Sequence, residues 1–169
     1  MPSDARLRAP ERCIATVCLS GTLPEKLEAA AAAGFDAVEL FESDLLAFAG
    51  TPADVRGMTE GLGLRIALFQ PFRDFEAMPE PVRARNLDRA ERKFDLMQAL
   101  GAELLLVCSN TQAAAMDDDA RAAADLAEMA RRAASRGLRV GYEALAWGRH
   151  VKRWHHAWRL VQQAAHPAL

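Results

Sequence analysis

Five times along this chain, a short apolar run of strand-forming residues is followed by a longer stretch of helical character, and that alternation leaves few folds open. CIATVCLS (13–20) precedes LPEKLEAAAAAG, whose alanines and leucines favour helix and whose Gly34 is a natural stop. DAVELF (36–41) precedes TPADVRGMTEGLG, where Thr51 suits the cap and Pro52 the first helical position. LRIALFQ (64–70) leads through the loop PFRDFEAMPE to an amphipathic helix from about Pro81 to Leu100. ELLLVCSN (103–110) leads to a helix that Asp117, Asp118 and Asp119 start, since acids favour a helix N-terminus. LRVGYEAL (138–145) precedes a last helix around Lys152 to Ala165.

Strict alternation of this kind implies parallel strands joined by right-handed crossovers, either in an open doubly wound sheet or in part of a (β/α)8 barrel. No GxGxxG and no GxxxxGK[ST] follows any of the runs, which favours the barrel. The expected fold is therefore α/β, a partial (β/α)8 TIM barrel of about five consecutive units over residues 13–169. Alternation along a strand then orients the polar residues. Val38 and Leu40 share one face of DAVELF, leaving Glu39 on the other; in LRVGYEAL, Gly141, Glu143 and Leu145 lie together. Ser20, Glu39 or Glu42, Gln70, Ser109 with Asn110, and Glu143 all gather towards strand C-termini, the edge at which α/β folds build sites.

The 169 residues are 51% hydrophobic and 26% charged with a net charge of −2, a soluble globular profile with enough apolar side chain for a substantial core. The arginines are interspersed with acids and form no basic block, so nucleic acid is not an expected partner. No apolar stretch approaches the roughly 20 residues of a membrane span, so no membrane is expected either. Residues 1–12 are polar and read as a flexible segment without a secretory signal. Cys13, Cys18 and Cys108 are odd in number and lack CxxC spacing, which reads as buried free thiols in a reducing cytoplasm.

Glu143 poses the sharpest question, because it stands in an apolar run where a buried, unpaired carboxylate is costly. It reads either as a metal ligand or catalytic base, or as a strand-end acid paired with Arg149. Arg73 suits bidentate recognition of an anionic substrate, or pairs with Asp74 or Glu76. His150 is placed to shuttle protons, or is a plain loop histidine. His155 and His156 read as surface residues; Trp147 reads as a pocket wall; Trp154 and Trp158, spaced i and i+4, read as packing the last helix against the barrel.

The stretches SGTLPEKLEAAAAAGFDAVELFESDLL, LFQPFRDFE, NLDRAERKFDLMQALGAELLLVCSN and GYEALAWGRHV together resemble the bacterial 3-dehydroshikimate dehydratases of quinate degradation, in the xylose isomerase-like TIM-barrel superfamily. The resemblance runs from about Ile14 to Leu169. It implies a lyase converting 3-dehydroshikimate to protocatechuate with a divalent cation, magnesium, manganese or cobalt, held in part by Glu143. It makes Arg73 and Gln70 candidates to grip the carboxylate and hydroxyls of a small-molecule substrate, with Glu39, Ser109 and Asn110 beside them. Arg149 and His150 become candidates for substrate contact or proton transfer. A sugar phosphate or keto-acid isomerase or epimerase of the same superfamily is the alternative enzyme; a non-catalytic half-barrel that binds a partner chain is the alternative outside catalysis.

Members of that family continue beyond a segment like HPAL with strands that supply further metal ligands, and some carry a dioxygenase-like domain. The resemblance thus implies that the remaining ligands are absent from these 169 residues. The expectation is a chain inactive alone, with exposed sheet edges that favour self-association or a complementing C-terminal half.

Overall fold

Each alternation folds as a strand followed by helix in a computed structural model that describes residues 11–169. The flexible segment expected over 1–12 lies outside the described residues apart from Glu11 and Arg12. Those two are tied down: the Arg65 guanidinium donates to both Glu11 carboxylate oxygens, at 3.0 and 2.5 Å, and the Arg12 N–H donates to Asp36 at 2.8 Å.

The strands are β1 (Cys13–Ala15), β2 (Ala37–Phe41), β3 (Arg65–Phe72), β4 (Leu104–Cys108) and β5 (Arg139–Glu143). The helices are α1 (Leu23–Ala32), α2 (Glu42–Ala47), α3 (Pro52–Gly61), α4 (Val82–Leu100), α5 (Asp119–Ala134) and α6 (Trp154–Ala164). All five strands pair in parallel in the order β1-β2-β3-β4-β5, the arrangement of five consecutive units of a (β/α)8 barrel. Local chemistry sets the helix ends as expected. Thr51 and Asp54 form a capping box with Pro52 at the first helical position, Asp118 accepts the Arg121 N–H at the start of α5, and Gly34 takes the left-handed conformation after α1.

Two local departures have physical causes. The run at 13–20 is strand only over Cys13–Ala15 and then turns through a 3-10 segment, Thr16–Cys18. Thr16 is fully buried and its hydroxyl accepts the Phe41 N–H at 3.0 Å, so a side chain takes over where ladder pairing would continue. Between β2 and β3 the register slips, Val38 facing Ile66 but Glu39 facing Leu68. That bulge brings Phe41 opposite Gln70 and keeps Gln70 on the face of Glu39.

One face of the sheet, with Val38, Leu40, Phe69, Leu105, Val107 and Val140 at 0–2% exposure, packs with Leu27, Phe94, Met97, Leu126, Met129 and Leu160 of the helices. On α6 it is Ala157 and Leu160 that pack inward. Trp154 and Trp158 therefore do not serve as the packing face: the helical twist turns them off the stripe of Ala157 and Leu160, and they are 77% and 55% exposed. The three cysteines are free, but only Cys108 is buried; Cys13 opens the edge strand β1 and Cys18 ends the 3-10 segment after it, and both are exposed. Among the described residues no helix is long and apolar enough to cross a membrane.

Phe94 lies fully buried between α4 and the sheet. Phe94→Ala is expected to cost about 3–5 kcal/mol by loss of transfer energy and creation of a cavity, read as a lowered urea midpoint with an unchanged slope.

Candidate functional site

The face opposite the helices carries the polar residues of β2 to β5. Gln70 donates from Nε2 to Glu39 Oε2 at 2.9 Å, a part-buried pair across neighbouring strands. Cys108 faces Glu143 in register, and its thiol donates to Glu143 Oε2 at 3.5 Å. Burial, and then the Glu143 carboxylate, push the Cys108 thiol up to about 12. It is therefore held as a thiol that donates to Glu143. The Arg73 charge acts on the same thiol in the opposite sense, which places Arg73 within electrostatic reach of the end of β4.

Glu143 itself is exposed, a correction to its expected burial. It is the last residue of the last strand, and no further strand covers it in the sheet. It lines a depression of about 550 Å³ with Leu106, Tyr142, Ala144, Trp154, Ala157, Trp158 and Val161, so the tryptophans border the acid. No ion pair joins it to Arg149 among the described residues.

Arg73, exposed at the end of β3, lines a separate depression of about 750 Å³ with Phe41, Glu42, Asp74, Arg89, Arg92 and Lys93. The pairing of Arg73 with Asp74 or Glu76 does not occur. Asp74 accepts from the Thr111 N–H at 3.0 Å, the Thr111 hydroxyl at 2.8 Å and the Gln112 amide at 2.9 Å. Burial raises the Asp74 carboxyl, but these donors outweigh it and hold the group below its ordinary value. Glu76 is committed elsewhere, and Arg73 makes no ion pair among the described residues. One depression thus holds Arg73 and the basic face of α4, while Glu143 lies in another.

Ser109 and Asn110 spend their polar atoms on the chain. Ser109 is fully buried and its hydroxyl accepts the Leu145 N–H at 2.9 Å. Asn110 donates its side-chain amide to the Glu76 carbonyl at 2.7 Å and accepts the Gln112 N–H at 2.9 Å. The turn they support admits only glycine at 148, since a Cβ there would stand 2.4 Å from the Val151 carbonyl and 2.6 Å from Ser109 Oγ. The Arg149 N–H donates to the Asn110 carbonyl at 2.6 Å, and its side chain is exposed. His150 is drawn towards the start of α5, with Nε2 2.9 Å from the Ala115 carbonyl and Nδ1 3.4 Å from Asp117. It borders a third, small cavity, so the structure does not bring it into the depression of Glu143. His155 is exposed, whereas His156 is partly covered and bonds Asp119 at 2.7 Å. Trp147 is 68% exposed and lines none of the three depressions.

Two residues that sequence reasoning passed over are central here. Cys108 was legible as a neighbour of Glu143 from the alternation of LLLVC, once β4 and β5 are paired. Glu76 is 2% exposed and collects bonds from β4 and β5; its one local signal is a carboxylate flanked by Phe75, Ala77 and Met78. Among the described residues no three His, Cys, Asp or Glu side chains are grouped to hold a metal ion.

The family model for the xylose isomerase-like TIM barrel matches residues 27–169. A 3-dehydroshikimate dehydratase of Pseudomonas putida is 62% identical over 159 residues, 94% of this chain and 25% of that protein. One of Pseudomonas aeruginosa is 64% identical over 154 residues, 91% of this chain and 24% of that protein. The chain thus spans about a quarter of the length of the curated relatives it matches. Among solved structures, a xylose isomerase-like TIM barrel/4-hydroxyphenylpyruvate dioxygenase fusion protein superposes with a TM-score of 0.93 at 62% identity, over 94% of this chain and 26% of that one. The IOLI protein, solved with a binding zinc atom, gives 0.84 at 13% identity over 94% of this chain and 60% of that one, a likeness of fold.

The thiol environments separate by experiment. A neutral-pH thiol reagent is expected to modify Cys13 and Cys18 and to spare Cys108 until the chain is unfolded. Glu143→Gln should make Cys108 more reactive, though only in part, because burial is the larger cause of its shift. Rapid modification of all three thiols in the native chain would contradict this geometry.

Proposed function

The chain belongs to the xylose isomerase-like TIM-barrel family, and on that footing we propose that it is part of a 3-dehydroshikimate dehydratase, a lyase that removes water from 3-dehydroshikimate to give protocatechuate. The observation that carries this reading is identity of 62–64% to two dehydratases over more than nine-tenths of the chain. The residues at issue, Glu39 in β2, Gln70 in β3, Arg73 just after it and Glu143 at the end of β5, stand at or near the carboxyl edge of the sheet.

On this reading Arg73 binds the substrate carboxylate, because a guanidinium without an ion pair among the described residues offers a fork of donors matched to that group. The Glu39–Gln70 pair presents a carboxylate and an amide to the ring hydroxyls, with Gln70 oriented by the bond it donates. Glu143 is the residue for a divalent cation. A hard cation takes six or more oxygen ligands, whereas the described residues offer one carboxylate here and no group of three ligating side chains. They therefore do not fit the ion as a complete site; Glu143 is one ligand, and the others lie outside the described residues. Proton transfer is not assigned to His150 or Arg149, since His150 is engaged at the start of α5 and Arg149 is held through its backbone. Ser109 and Asn110 shape the turns and are not assigned to substrate.

Turnover of 3-dehydroshikimate, followed by the absorbance of the aromatic product with manganese or magnesium present, tests the reading. In a chain extended to the length of the relatives, Glu143→Gln is expected to lower kcat/KM by about 100-fold or more, on the scale of losing one electrostatic contact to a reacting group. Arg73→Lys should act mainly on KM. Metal titrated calorimetrically into the 169-residue chain should bind weakly, and that chain alone should be inactive. Full activity in Glu143→Gln would overturn the assignment.

A further inference from the structure

Glu76, in the loop after β3, is the most deeply buried acid at this end of the sheet apart from Asp125, and its two carboxyl oxygens are treated differently by the fold. Oε1 accepts the Asn110 N–H at 2.7 Å and the Tyr142 hydroxyl at 2.7 Å. Oε2 is shielded from solvent and has no partner. Glu76 borders a cavity of about 10 Å³, room for a single water, whose polar lining also includes Asn110, His150, Asp118 and Asp119.

An ionised carboxylate spreads its charge over both oxygens and needs donors at each. Burying one with an orphaned oxygen is costly. A carboxylic acid fits the same geometry at lower cost: its carbonyl oxygen accepts twice, and its hydroxyl is a donor that one water in the adjoining cavity can accept. The neighbouring charges point the same way. Asp74 stands on the same loop, and Asp118 and Asp119 lie across the cavity with His150. Asp125 of α5 accepts the N–H of the next residue, Ala77, at 2.9 Å and is matched by Arg83 at 2.6 Å and Arg121 at 3.3 Å. Cys108 and Tyr142, on β4 and β5, are both pushed towards their neutral forms, so neither adds a charge beside Glu76. Burial is the largest influence on Glu76 and raises it above the ordinary carboxyl value despite the two donors, with Asp74 adding to the rise.

We propose that Glu76 stands in the fold as a neutral carboxylic acid, its carbonyl oxygen joining the loop after β4 to strand β5 and its hydroxyl donating to one buried water. It is a positioning residue. Tyr142, which it holds, precedes Glu143, and Arg73 lies three residues before it in the same loop. A neutral clamp fixes the spacing of those two groups without setting another negative charge beside them. Its value for turnover rests on the dehydratase reading; its protonation does not.

Infrared difference spectra of the purified protein against Glu76→Gln at neutral pH test the proposal. A carboxylic-acid carbonyl band is expected in the wild type, shifted in D2O and absent from the variant. A wild type without that band overturns the proposal, whatever the variant does. Stability against pH is the second readout. Glutamine keeps an acceptor for Asn110 and Tyr142, so the variant should fold and serve as a reference that does not titrate. A group whose folded value is raised contributes stability that is fully present below its unfolded value and lost as pH rises through its folded value. The wild type should therefore lose stability relative to Glu76→Gln as pH climbs from the ordinary glutamate range, and level off above the folded value. A difference independent of pH would overturn the proposal equally, and neither readout requires enzymatic activity.

Discussion

Three carboxylates tie down the loop after β3, and the shape of the sheet's carboxyl end depends on them. Asp74 takes three donors from Thr111 and Gln112; Glu76 takes Asn110 and Tyr142; Asp125 reaches in from α5 for the Ala77 N–H and the Arg83 guanidinium. The buried backbone groups of such a loop need partners. Here the partners come from the loop after β4, from β5 and from α5, so successive units are locked together at the end where Gln70, Arg73 and Glu143 emerge. Loss of one such acceptor would leave buried donors unpaired in two elements at once.

Charge is sorted along the same edge. The acids that brace the loop are either paired with arginine, surrounded by donors, or, in Glu76, held neutral. Glu39 and Glu143 on the inner face are met by an amide and a thiol, with no cation directly bonded to either among the described residues. A carboxylate met by a single neutral donor keeps acceptor capacity for a further partner. The bracing acids and the free acids therefore differ in their partners rather than in residue type.

That difference explains how much was legible beforehand. The alternation of strand and helix, the capping at Thr51 and the stop at Gly34 are local, and they appear in the fold where the local chemistry puts them. The facing of Glu39 and Glu143 follows from the pleat alone. The shortening of β1 was not legible, because the Thr16 hydroxyl takes an N–H from a residue twenty-five positions away. Ser109 and Asn110 looked like site residues because polar strand ends are where sites form, yet their bonds run to loops that no local pattern announces. Glu76 was hidden for the same reason: its partners lie 34 and 66 residues downstream. The tryptophan spacing named a helical stripe correctly but could not say which side of α6 would meet the sheet. Ala157 and Leu160 decided that.

The placement of Cys108 bears on the proposed chemistry. β4 lies between β3 and β5, and Cys108 stands at its end, in register with Glu143. Adjacent strands lie about 4.8 Å apart, so a side chain longer than cysteine at 108 would crowd the Glu143 carboxylate, and a charged one would pair with it or repel it. A small, buried thiol does neither, and its donor bond steadies the carboxylate on which the proposed reaction depends. The residue in the middle is thus constrained by the carboxylate beside it as well as by the core beneath.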